Sequence, residues 1–112
     1  CRAAEEDLAD VAVKIVQAYN QSDLDRAVAI ERQAMKQIEK GEATAKQCGC
    51  AGVVAGTAAT RLALEKITTI GVLSEAQDEL AGALKTSESA RLEAEKCWRG
   101  ESLVVGTPGK RS

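Results

Sequence analysis

A core with no phenylalanine, one tryptophan (Trp98) and one tyrosine (Tyr19) has to be assembled from Ala, Val, Leu and Ile. Strands draw on aromatic and β-branched residues, whereas Ala, Leu, Glu, Lys, Gln and Arg favour helix. A chain that is 45% hydrophobic, 29% charged and holds a single proline therefore reads as helical almost throughout. Small core side chains require close helix contacts and bury little area per residue, so crosslinks would help a domain of this size.

Hydrophobic spacing divides the 112 residues into helical segments. The first, from about Ala3 to Tyr19, carries Ala4, Leu8, Val11, Ile15 and Ala18 on one stripe. Ser22 reads as the N-cap of the second, with Asp23 and Asp25 in its first turn. Its inward residues are Leu24, Ala27, Ile30, Ala34 and Ile38, and it is expected to stop at Lys40 with Gly41 left-handed.

The third segment, Ala43 to Thr69, looks apolar on most sides and is expected to be the most buried, with a break near Gly49 or Gly52 as the competing reading. Ser74-Glu75-Ala76-Gln77 fits a capping box for the fourth, which places Ala76, Leu80, Ala83, Ser87, Ala90, Ala94 and Cys97 on one face. Arg99 and Gly100 are expected to close it. The domain then spans residues 1–99, and residues 100–112 form a frayed or partner-bound tail. No internal repeat stands out.

Short connections favour an all-α, antiparallel up-down-up-down four-helix bundle, with a three-helix arrangement and a broken third segment as the alternative. In that bundle Cys1, Cys48, Cys50 and Cys97 gather at one end, as two structural disulfides require. If Cys48 and Cys50 are helical, they point about 200° apart, since each residue turns about 100°. The favoured pairing is Cys1–Cys48 with Cys50–Cys97; Cys1–Cys50 with Cys48–Cys97 is the second. A Cys48-Gly49-Cys50 redox dithiol lacks any thioredoxin-like pattern, and a thiolate metal site lacks paired knuckles.

The chain has no histidine. That excludes the common Ser-His-Asp and Cys-His nucleophilic systems, the Glu-x-x-His di-iron site and histidine-ligated haem. Glu5, Glu6, Asp7, Asp10, Asp23 and Asp25 are accounted for by helix starts. Glu31, Glu65, Glu79, Glu88 and Glu93 read as solvated faces. A net charge of −2 with mixed signs and few aromatics argues against nucleic acid. The uncharged run Gln47 to Thr60 is too short and weakly apolar to span a bilayer. Within it, the Gly52/Gly56 and Ala55/Ala59 spacings point to helix contacts in the core or, second, at a homodimer interface.

No catalytic, cofactor or metal site is expected, and the chain is not expected to be an enzyme. Starting at Cys1 fits a mature chain whose secretory signal has been removed; lipid attachment at Cys1 is an alternative that no residue here supports. The expected function is a periplasmic or secreted protein-binding module, such as an inhibitor or immunity protein that sterically blocks a toxin or cell-wall enzyme. Tyr19, Trp98, Leu103, Val104 and Val105 are its candidate partner contacts. Two alternatives stand beside it: thiol–disulfide or metal handling by Cys48 and Cys50, and a structural helical subunit or oligomer.

Overall fold

The computed structural model describes the backbone of residues 1–105 and the side chains of residues 1–100. Four helices follow one another: α1 (Arg2–Tyr19), α2 (Leu24–Cys48), α3 (Ala51–Ile67) and α4 (Leu73–Val105). α1 packs beside α2 and α4, and α3 packs beside the same two. The result is an antiparallel bundle in the form of a rod, 53 × 19 × 18 Å.

The interior follows one rule. Buried residues recur at alternating spacings of three and four along every helix, the heptad pattern that keeps a single seam facing inward. α1 contributes Ala4, Leu8, Val11, Ile15 and Ala18, and α2 contributes Ala27, Glu31, Ala34, Ile38, Gly41 and Ala45. α3 adds Val53, Thr57, Thr60, Leu64 and Ile67, and α4 adds Ala76, Leu80, Ala83, Ser87, Ala90 and Ala94.

The seams of α3 and α4 repeat those of α1 and α2, position for position, at the offset that separates Cys1 from Cys50. The bundle is thus two similar helical hairpins in tandem. This repeat escapes the sequence because identical side chains are few: Leu8 is matched by Thr57, and Glu31 by Leu80.

Several expected boundaries move. α2 does not stop at Lys40 but runs to Cys48, and Gly49, with φ 75°, is the left-handed residue that ends it. Gly41 is helical and buried; a Cβ there would stand 3.5 Å from the Asp7 Cβ. Residues 43–48 consequently belong to α2, and the break near Gly49 is the reading that holds. The N-cap of α2 is Asp23, whose carboxylate accepts from the Asp25 N–H at 3.2 Å, rather than Ser22. Val72 accepts from the Ala76 N–H, so α4 starts ahead of Ser74. It also passes Arg99 and Gly100 and continues to Val105.

α3 is not the most enclosed helix: Ala51, Gly52, Ala55, Ala59 and Leu62 are all exposed. An alanine-rich face looks apolar in sequence, yet its small side chains cost little in water. Ala55 and Ala59 therefore lie on the exposed face, while Gly52 and Gly56 face α4. A Cβ on Gly56 would fall 2.6 Å from the Ala90 Cβ and 3.0 Å from its Cα.

These two glycines give a contrasting pair of expectations. Gly56→Ala should destabilise by about 1–3 kcal/mol through overpacking against α4 backbone. Gly41→Ala meets only ordinary contact and should be neutral or stabilise by up to about 1 kcal/mol. Urea unfolding of each variant checks both signs.

Candidate functional site

The four cysteines converge where the helix starts and ends of the stapled end meet. Cys1 is the N-cap of α1, Cys48 the last residue of α2, Cys50 the N-cap of α3, and Cys97 lies in α4. Gly49 turns the chain between α2 and α3, so each member of the Cys48/Cys50 pair faces its own hairpin. Cys1 bonds Cys48 and Cys50 bonds Cys97, with Cα separations of 5.2 and 6.6 Å. Each bond closes one hairpin at its open end.

The sulfurs of Cys1, Cys50 and Cys97 lie within 4.8 Å of one another, so the two disulfides pack side by side. In this oxidised state they offer no thiolate to a metal or a disulfide substrate.

Next to the staples, Glu5 performs more than a helix-start role. Its Oε1 accepts from the Trp98 indole N–H at 2.6 Å, and its Oε2 from Arg91 at 3.3 Å. Arg2 and Arg99 stand over the Trp98 ring, 5.2 and 4.9 Å from its centroid. Trp98 is therefore half-buried and held between α1 and α4. Asp7, also read as a helix-start residue, is buried at 6% exposure; it accepts from the Thr44 hydroxyl at 3.1 Å and pairs with Lys40 at 3.6 Å. Arg61 links Glu42 and Glu65 at 2.8 and 2.7 Å, so Glu65 is not a free solvated group.

Glu31 is the largest departure from the sequence reading. It sits inward at 0% exposure, where a solvated face was expected, and Ile30 is displaced to the flank. Neither carboxylate oxygen has a hydrogen-bond partner among the described residues. Burial pushes its pKa up to about 7, against a smaller opposing effect of the Arg32 charge.

On the surface, an apolar groove runs between α1 and α4 in the half of the rod away from the disulfides. Ala12, Val13, Val16 and Tyr19 line it from α1, and Ala81 and Leu84 from α4. Val13, Val16 and Tyr19 are 55%, 42% and 45% exposed. Gln17 lines it from α1, and Lys85 and Glu88 line it from α4. Its charged lining is thus mixed in sign, with one base and one acid on the α4 side.

Of the expected contact residues, Tyr19 lies in this groove and Trp98 on the same α1/α4 side at the stapled end. Leu103, Val104 and Val105 continue the α4 backbone, and their side chains lie outside the described residues, as does the tail from residue 106. Val13, Val16, Ala81 and Leu84 were missed because each is a small or medium apolar residue one or two positions off a core seam. Among the described residues, no helix is long and apolar enough to cross a membrane. No protein-family model matches the chain, and neither a curated protein nor a solved structure matches it.

Proposed function

We propose that this chain is an exported protein-binding module that receives an amphipathic helix of a partner protein along the α1/α4 groove. The observation that carries the reading is the apolar strip Val13, Val16, Tyr19, Ala81 and Leu84 between α1 and α4. A helix laid into such a groove buries an i, i+3/i+4, i+7 stripe. The partner helix would carry a stripe of leucine-sized apolar residues, with polar residues on its other faces. The two disulfides support an oxidising compartment. An inhibitor or immunity protein is the version in which occupying that helix blocks the partner's action.

The test uses a synthetic amphipathic helix with a leucine stripe and mixed lysine and glutamate on its other faces. Val16→Asp is expected to weaken its binding at least tenfold with the circular dichroism spectrum unchanged. Equal binding by the native protein and Val16→Asp would contradict the proposal. Concentration-dependent dimerisation abolished by Val16→Asp would replace the partner helix with a second copy of this chain.

A further inference from the structure

Glu31 occupies a place where an ionised carboxylate has nothing to hold it. Its seam neighbours on α2 are Ala27 and Ala34. In the same half of the rod the other helices turn inward Ile15 and Ala18, Leu64 and Ile67, and Ala76, Leu80 and Ala83, all apolar. The interior hydroxyls are already engaged: Thr57, Thr60 and Ser87 lie 3.0, 2.8 and 2.8 Å from the Val54, Gly56 and Leu84 carbonyls.

The charged groups on the surrounding elements are off the seam. Lys14 lies on the α2-facing flank of α1, Arg61 is held by Glu42 and Glu65, Lys66 is exposed, and Glu79 and Lys85 flank α4. Arg32, beside Glu31 on α2, is exposed. A charge in this position is stabilised only if water reaches it, and water reaches it only if the helices part.

Where they can part is set by the crosslinks. Both disulfides tie the end holding Cys1, Cys48, Cys50 and Cys97. Glu31 lies toward the opposite end, which the turns at residues 20–23 and 68–72 close without any crosslink. We infer that Glu31 makes this end a proton-controlled latch, closed while the carboxyl is protonated and loosened when it ionises. The counterpart of Glu31 in the second hairpin is Leu80, so the first hairpin alone carries the device. A single proton released on opening raises the opening equilibrium about tenfold per pH unit until the closed-state carboxyl itself ionises.

Amide hydrogen exchange of the oxidised full chain at pH 5.0 and 7.5, corrected for intrinsic rates, tests the latch. Opening of residues 24–34 and 64–80 should rise on the order of 50-fold at the higher pH, given the raised Glu31 pKa. Amides beside Cys48 and Cys50 should not follow. Glu31→Gln and Glu31→Leu should each remove the rise; the leucine, which the matching position already carries, keeps the test open if the glutamine variant does not fold. A flat native profile, a rise that persists in both variants, or an equal rise at the stapled end would overturn the inference.

Discussion

Reducing both disulfides is expected to unfold the protein at 25 °C. The closed loops run from Cys1 to Cys48 and from Cys50 to Cys97, each with a sequence separation of 47. In the chain-entropy description a loop of that length contributes about 4 kcal/mol. The two loops follow each other without overlap, so each constrains a different half of the unfolded chain and their effects should nearly add. Their sum is comparable to the whole stability of an ordinary domain, roughly 5–15 kcal/mol. This interior, built largely of alanine, has little surplus to absorb the loss. Cys50→Ser with Cys97→Ser should therefore cost about 4 kcal/mol and leave α1 and α2 joined. Denaturant titration with and without reductant measures both effects, and a loss under about 1 kcal/mol on full reduction would contradict them.

The second large effect concerns Glu31. Its folded-state pKa is raised from 4.5 to about 7, so the folded form keeps a proton that the unfolded chain has already released. Stability from this group is fully present below pH 4.5 and is lost as pH rises toward about 7, the reverse of a salt-bridged carboxylate. The loss amounts to about 3 kcal/mol at 1.36 kcal/mol per pKa unit. Glu31→Leu removes it, so the stability gained by the variant should grow by about 3 kcal/mol between pH 4.5 and pH 8. Comparing variant with native protein at each pH cancels the titration of the other carboxylates. A difference that stays constant across that range would show that Glu31 reaches water or a partner.

The bundle and its crosslinks could be read in the sequence because both rest on coarse signals. Helical spacing survives errors of a few residues, and four cysteines placed at the same end of an antiparallel bundle leave few pairings. Boundaries were less legible. Gly41 looked like a helix stop because glycine is the usual left-handed residue, yet it is helical and buried, with room for a Cβ beside Asp7. Gly49, with φ 75°, ends the helix instead.

The inward face of α2 was misread by one position. Polarity favoured Ile30 over Glu31, but Ala27, Ala34, Ile38, Gly41 and Ala45 fix the phase of the seam and carry Glu31 inside with it. That register was present in the sequence and was overridden by the habit of placing acids in water. The α1/α4 groove left no comparable signal. Val13 and Val16 of α1 and Leu84 of α4 become a surface only when the two helices are laid side by side. Glu5 and Trp98 likewise meet across most of the chain length, a contact that no local pattern announces.

The tandem-hairpin architecture is tested most directly by mapping the crosslinks of the non-reduced protein by peptide mass spectrometry after alkylation. Cys1 joined to Cys48 and Cys50 joined to Cys97, with no alkylated thiol, is the result this architecture predicts. Cys1 joined to Cys50 with Cys48 joined to Cys97, or alkylation at any of the four, would contradict hairpins that are each closed by their own disulfide.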